Sequence, residues 1–366
     1  MRRFGNLWPQ LVSFENLLMA AERSAAGKRY RPAVAAWHWD RERNLCRLQR
    51  QLQQQQWRPG GYTEFYVYEP KKRLISAAPY EDRVVHHALT QILNPIFEPV
   101  FITDSFACRV GRGTHAAVRR AQQFSRQFPW VLKADIRKFF PSVDHRILLD
   151  LIARKIRDRE VLQLVELLVR HSNPQEPVLD WFPGDDLLTP SERARGLPIG
   201  NQTSQFFANV YLNPLDHFVK EQLRVAGYVR YVDDFILFAN DRQTLHRCRT
   251  RIAEFLCSLR LKLHPRKCAV FPVRCGIRFL GYRVFRTHRL LTSEGVRRFR
   301  RRIRRLQRLF AAGRIGTADL HASLMSWLGH AGQADTHRLC ERLFSQIIFT
   351  RSGTEQSGVA GRFLQQ

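Results

Sequence analysis

Apolar positions along this chain fall into helical and strand-like runs. Leu11, Phe14, Leu17, Leu18 and Ala21 recur at helical spacing between Gln10 and Ala26, and Leu45, Leu48 and Leu52 mark another helix before Pro59-Gly60-Gly61. Residues 63–68 alternate as a strand, and 84–93 read as a helix. Trp130-Val131-Leu132-Lys133-Ala134-Asp135-Ile136 is a strand ending on a carboxylate. A helix over 144–170 follows, then a polar, proline-rich loop over 172–195 whose Asp185-Asp186 pair reads as a solvated turn. Gly, Asn, Thr and Ser crowd the start of a long amphipathic helix carrying Phe206, Phe207, Val210, Tyr211, Leu215, Phe218 and Val219. Two β-rich runs flank Asp233-Asp234 between Tyr228 and Phe238, which predicts a hairpin with the carboxylates at its tip. Beyond it come a helix over 243–259 and a strand pair over 277–284. Val296, Phe299, Ile303, Leu306 and Phe310 then draw one apolar stripe along a helix, and a shorter helical pair follows over 320–330 and 336–349.

An Asp-Asp hairpin tip is by itself an ordinary turn. Asp135, ending a second strand, changes its meaning. Side by side, the two strands would bring Asp135 and Asp233 to one sheet edge. There they could hold two divalent ions about 3.5–4 Å apart, the spacing of two-metal phosphoryl transfer. Carboxylates that close are costly without a cation.

Charge points to the substrate. Sixty Lys and Arg stand against 32 Asp and Glu, a formal +28, while 44% hydrophobic content rules out a disordered basic protein. Such a surface favours a polyanion. Eight arginines (Arg297, Arg298, Arg300, Arg301, Arg302, Arg304, Arg305 and Arg308) surround the apolar stripe with no acidic partner expected, so this helix reads as a nucleic-acid clamp. Pro70-Lys71-Lys72-Arg73 forms a basic turn in which Lys71 or Arg73 suits phosphate contact. Arg109 and Arg112 lie in a Gly/Arg loop opening into a helix capped by Thr114. That loop does not match the Walker pattern, and the 13 His show no His-Glu-X-X-His, so a P-loop and a His-based metal site have no support. Seven scattered Cys read as free thiols of a reducing cytoplasm. No apolar run of 18 residues and no signal-peptide pattern follow Met1, so neither membrane association nor export is expected.

The ordered motifs resemble a reverse transcriptase. Asp135 in Ala-Asp-Ile-Arg-Lys-Phe-Phe looks like polymerase motif A, Gly200 to Gln205 like motif B, and Tyr231-Val232-Asp233-Asp234 is a Tyr-X-Asp-Asp box. Lys267 looks like motif D and Phe279-Leu280-Gly281-Tyr282 like the primer grip. The resemblance covers roughly residues 63–345. It implies an α+β right-hand polymerase with an antiparallel palm sheet and a helical thumb. On that template, 1–62 is a helical N-terminal extension and 63–129 the fingers. Residues 130–285 form the palm (about 150–225 carrying further fingers and motif B), 286–350 the basic thumb, and 351–366 a disordered tail. It also implies two Mg²⁺, with Mn²⁺ a possible substitute, on Asp135, the Ile136 backbone, Asp233 and Asp234. Lys267 would protonate or neutralise pyrophosphate. Lys71, Arg73, Phe140, Ile199, Gly200 and Gln205 would face the dNTP; Phe140, five positions beyond Asp135, reads either as a ring where a ribose 2′-OH would clash or as a core aromatic.

Ile199-Gly200-Asn201-Gln202-Thr203-Ser204-Gln205 departs from the Gln-Gly-X-X-X-Ser-Pro of most bacterial relatives and is similar to the reverse transcriptases of diversity-generating retroelements. That resemblance implies error-prone copying of a template-repeat RNA at adenines into cDNA, a small basic accessory-protein oligomer, and a bacterial or phage source. A retron-like or antiphage reverse transcriptase, or an RNA-binding scaffold without catalysis, are the alternatives. No stretch resembles a maturase, HNH endonuclease or RNase H, which argues against a mobile intron protein.

Overall fold

The computed structural model describes residues 3–68, 72–172 and 178–351. Lys71 and the tail from residue 352 lie outside the described residues. The chain forms two compact units, residues 1–120 with 128–272 and residues 121–127 with 273–366.

In the first unit, Trp8–Leu11 (α1), Phe14–Ala25 (α2), Pro32–Trp39 (α3) and Arg41–Gln53 (α4) bury Leu11, Leu17, Ala21, Leu45, Leu48 and Leu52. The Ser13 hydroxyl caps α2 by accepting from the Asn16 N–H at 3.2 Å. Thr63–Val67 (β1) and Arg73–Ala77 (β2) make an antiparallel ribbon with Phe65 and Tyr66 exposed. Tyr80–Phe97 (α5) follows, then Thr114–Gln127 (α6), whose residues 121–127 belong to the second unit; Thr114 is the first residue of α6, and its hydroxyl donates to the Tyr231 phenol.

Trp130–Asp135 (β3) leads into the short Phe139–Ser142 (α7). The helix expected over 144–170 is two helices, His145–Ala153 (α8) and Arg159–Arg170 (α9). The first ends at Ala153, and Asp158 starts the second: its carboxylate accepts the N–H groups of Val161, Leu7 and Trp8, so it caps α9 and ties it to the N-terminal helices. Of the Asp185-Asp186 pair, Asp186 is exposed as expected, but Asp185 is not solvated. The Asp185 side chain is only 5% exposed, ion-pairs with Arg193 and accepts the Phe182 N–H, while Asp186 accepts from Thr189 at the start of Thr189–Glu192 (α10).

Gln202–His217 (α11), Gly227–Tyr231 (β4), Asp234–Ala239 (β5), Arg242–Ser258 (α12) and Ala269–Pro272 (β6) complete this unit. Its main sheet has the order β4-β5-β3-β6, antiparallel throughout. Side chains alternate across a strand. Leu132, Ala134, Phe235, Leu237 and Tyr228 therefore enter the main core on one face, while Lys133, Asp135 and Asp234 share the other.

The second unit holds the sheet Ile277–Phe279 (β7), Tyr282–Val284 (β8) and Arg289–Leu291 (β9), then Ser293–Ala311 (α13), Thr317–Ala331 (α14) and His337–Phe344 (α15). The stripe of α13 packs as expected, with Phe299 stacked on Trp327 at 3.7 Å between centroids and both against Phe344.

Candidate active site

Register builds the site. Asp135 at the end of β3 lies directly opposite Asp234 at the start of β5, and Tyr231 at the end of β4 pairs with the same Asp234. The hairpin loop is therefore the two residues Val232 and Asp233. Val232 has φ +55°, a left-handed backbone that a β-branched side chain resists, so the turn is strained by about 1–3 kcal/mol. The Ile136 N–H donates to the Asp233 carbonyl at 3.2 Å, and the His264 N–H to the Asp135 carbonyl at 2.8 Å. Those two bonds draw three chain segments to one sheet end.

Two ammonium groups sit against the carboxylates. Lys267 Nζ is 2.8 Å from Asp135 Oδ2, and Lys133 Nζ is 3.3 Å from Asp234 Oδ2. Burial pushes the Asp234 carboxyl up to about 6, against the opposing pull of Lys133. Burial, then the Asp135 charge, raises Asp233, while Arg73 and Lys267 pull it back. Asp234 Oδ1 is buried with no hydrogen-bond partner. Among the described residues no three His, Cys, Asp or Glu side chains enclose a metal ion by themselves. The donor set still fits a hard cation: oxygen ligands only, burial that disfavours the ionised forms of Asp233 and Asp234, and one orphaned oxygen on Asp234. It is a partial shell of the kind Mg²⁺ completes with water and substrate phosphates.

The other expected residues divide. Arg73, exposed at the start of β2, stands near enough to Asp233 to act on its charge. Gly200 has φ +130°, and a Cβ there would lie 3.1 Å from the Ser76 carbonyl oxygen and from Ile75; the Ser76 N–H donates to the Ile199 carbonyl at 2.9 Å. Hence the loop before α11 lies directly on β2. Behind it, buried His86 contacts Thr203 Oγ1 through Nδ1 at 2.6 Å; burial lowers this imidazole to about 3, so it stays neutral. Gln205 is exposed and accepts from the Cys108 thiol. Phe140 is half-buried, edge-on to Phe139 at 5.4 Å between centroids. Arg109, expected to face nucleic acid, is spent inside the protein: its guanidinium is 4% exposed and bonds Glu98 and the carbonyls of Ile102 and Ser105. Arg112 lies over the Phe106 ring.

In the second unit, Leu280 and Gly281 both have positive φ, the signature of a two-residue type I′ turn between Phe279 and Tyr282. The Tyr282 phenol contacts His330 Nδ1 at 2.7 Å. On α13, Arg297, Arg301, Arg304, Arg305 and Arg308 are exposed, but Arg298 does have an acidic partner, Glu294 at 3.1 Å.

Sequence reasoning passed over the residues beneath the hairpin. Arg230, Asp216 and Tyr228 are completely buried on the core face, opposite Asp234. Arg230 makes two 2.6 Å bonds to Asp216, and its Nη1 reaches the Val232 carbonyl at 3.2 Å. One available signal was an arginine inside an otherwise apolar strand.

Residues 68–284, more than half of the chain, match the reverse transcriptase (RNA-dependent DNA polymerase) family. The chain belongs to that family. Its fold is accordingly the right-hand polymerase fold, with the four-stranded antiparallel sheet as the palm. Among curated proteins it is 24% identical to Protein YkfC of Escherichia coli, over 60% of this chain and 66% of that one. It is 29% identical to the group II intron-encoded protein LtrA of Lactococcus lactis, over 41% of this chain and 23% of that one. A third relative is an uncharacterized 91 kDa protein in the cob intron of Schizosaccharomyces pombe, 30% identical over 41% of this chain and 17% of that protein. The matches thus span between 17% and 66% of these relatives' lengths.

Proposed function

We propose that this reverse transcriptase is an RNA-directed DNA polymerase that joins a primer 3′-hydroxyl to the α-phosphate of a dNTP and releases pyrophosphate. One observation carries the reading: Asp135 and Asp234 are opposed in register at one end of the palm sheet, with Asp233 in the turn between β4 and β5. Bound divalent ions, Mg²⁺ or Mn²⁺, would supply activation of the hydroxyl and neutralisation of the leaving group. Asp135, Asp233 and Asp234 are the side chains to hold them. Arg73 binds triphosphate oxygens, and Lys267, already beside Asp135, meets charge developing on pyrophosphate. Phe140 excludes the ribose 2′-OH, the Phe279–Tyr282 turn grips the primer, and the α13 arginines hold the template–primer backbone.

The finer assignment is error-prone copying of a template-repeat RNA, as in diversity-generating retroelements, in concert with a small basic accessory protein. It is supported by Ile199 in place of a motif B glutamine and by the run that follows it. An apolar side chain there offers the templating pair no hydrogen bond, and unpaired polar groups are what punish a wrong substrate. Sequencing cDNA made on an adenine-containing RNA tests this. Substitutions concentrated opposite adenine, reduced by Ile199→Gln, are expected. Faithful cDNA refutes the mutagenic reading and favours a retron-like or antiphage enzyme.

A further inference from the structure

We infer that Arg230 is a positioning residue that fixes the backbone turn carrying Asp233, acting from the core side of the palm sheet. The inference deepens the polymerase reading and rests on it.

Three observations meet at this side chain. Arg230, Asp216 and Tyr228 are each 0% exposed, in the middle of the main core of the first unit. Asp216 accepts Arg230 Nε and Nη2 at 2.6 Å each and the Tyr228 hydroxyl at 2.9 Å, so both its oxygens are engaged. The remaining donor nitrogen, Nη1, reaches the Val232 carbonyl at 3.2 Å and Asn209 Oδ1 at 3.3 Å. The backbone of Arg230 is pinned as well, its N–H to the Asp104 carbonyl at 2.9 Å and its carbonyl to the Phe106 N–H at 3.0 Å.

Stability alone does not explain this arrangement. A buried ion pair rarely outperforms well-packed apolar side chains of the same volume. What an apolar pair cannot do is hold the carbonyl of a residue in an unfavourable conformation. Val232 is that residue. Its φ of +55° is the outlier of the hairpin, and the next residue is Asp233. A turn strained in this way persists only where its surroundings over-determine it. If the Val232 carbonyl swings away, the Asp233 carboxylate leaves the end of the sheet it shares with Asp135. The planar guanidinium has the right shape for this: two of its nitrogens lock onto Asp216 and a third is left, held in plane, for the turn. A lysine ammonium cannot reproduce that geometry.

The test replaces the whole buried group with apolar side chains, Arg230→Met, Asp216→Leu and Tyr228→Phe together, so that no charge or hydroxyl of this trio is stranded. Three readouts are taken: the melting temperature, kcat and KM for a dNTP in primer extension, and Mn²⁺ affinity from an EPR titration without nucleotide. Asp233→Ala serves as the reference for a lost site. The expected result is a folded protein whose KM changes less than about threefold, while kcat and Mn²⁺ affinity each fall about 10–100-fold, the usual cost of losing a group that orients a metal ligand. A folded triple variant with wild-type kcat and Mn²⁺ affinity overturns the inference. Should the triple variant fail to fold, Arg230→Lys, which keeps the charge, is judged by the same two quantities in the same directions. If the wild type itself extends no primer, the polymerase reading falls, and the Mn²⁺ titration still decides whether Arg230 shapes the carboxylate site.

Discussion

Replacing Asp234 by Asn separates the stability of this palm from its chemistry. Burial raises the Asp234 carboxyl from 3.8 to about 6, so the folded protein holds that proton more tightly than the unfolded chain does. The associated stability is fully present below pH 3.8 and is lost as pH rises through about 6. A displacement of about two units corresponds to ~3 kcal/mol. The amide also weakens the 3.3 Å ion pair with Lys133, which takes back about 0–1 kcal/mol. Asp234→Asn should therefore stabilise the protein by ~2 kcal/mol at pH 8, a rise in Tm of about 3 °C, and leave it unchanged near pH 4. The assay is thermal unfolding of both proteins at the two pH values, with and without Mg²⁺. Because a cation beside the carboxylates relieves the same penalty, Mg²⁺ should raise the Tm of the wild type more than that of the variant. DNA synthesis by the variant should fall at least tenfold. An equal or lower Tm at pH 8, or the same Tm difference at both pH values, would refute the claim that the site carries an uncompensated carboxylate.

Further outcomes follow from the same geometry. Phe140→Ala should raise ribonucleotide incorporation about tenfold relative to dNTP, read in competition assays, since the ring is the bulk proposed to meet a 2′-OH; unchanged discrimination removes that role. Gly200→Ala places a side chain at φ +130° and within 3.1 Å of the Ser76 carbonyl, and should cost about 1–3 kcal/mol on denaturation with a higher KM for dNTP. Replacing Arg301, Arg304 and Arg305 by Ala should weaken template–primer binding and flatten its salt dependence, lowering the log–log slope by up to about three; an unchanged slope would mean these side chains touch no phosphate.

Much of this was legible in the residues. Alternation placed β3 and the β4–β5 pair, and three carboxylates on those strands implied their convergence. The stripe on α13 announced both its buried face and its arginine-rich one. What stayed hidden depended on distant partners. Nothing local shows that Asp158 opens α9 while holding the N-terminal helices, because two of its three partners are N–H groups about 150 residues away. Asp185 looked like solvent-exposed loop chemistry because Arg193, which buries it, is itself in that loop. Arg109 looked free because Glu98 and two carbonyls claim it only once the loop closes. The pairing of Asp135 with Asp234, and the turn position of Asp233, needed the register, which no periodicity carries. Arg230 lies three positions before Asp233 in the same hairpin, yet its role required the buried Asp216 of another element.

The most direct measurement is primer extension on an RNA template with dNTPs and Mg²⁺, comparing the wild type with a folded Asp233→Ala variant. RNA-templated DNA product from the wild type, reduced at least a thousandfold by the substitution and abolished by chelation, is the result this account predicts. Product of equal amount from both proteins, or none from a folded wild type given template, primer and Mn²⁺ or Mg²⁺, would contradict it.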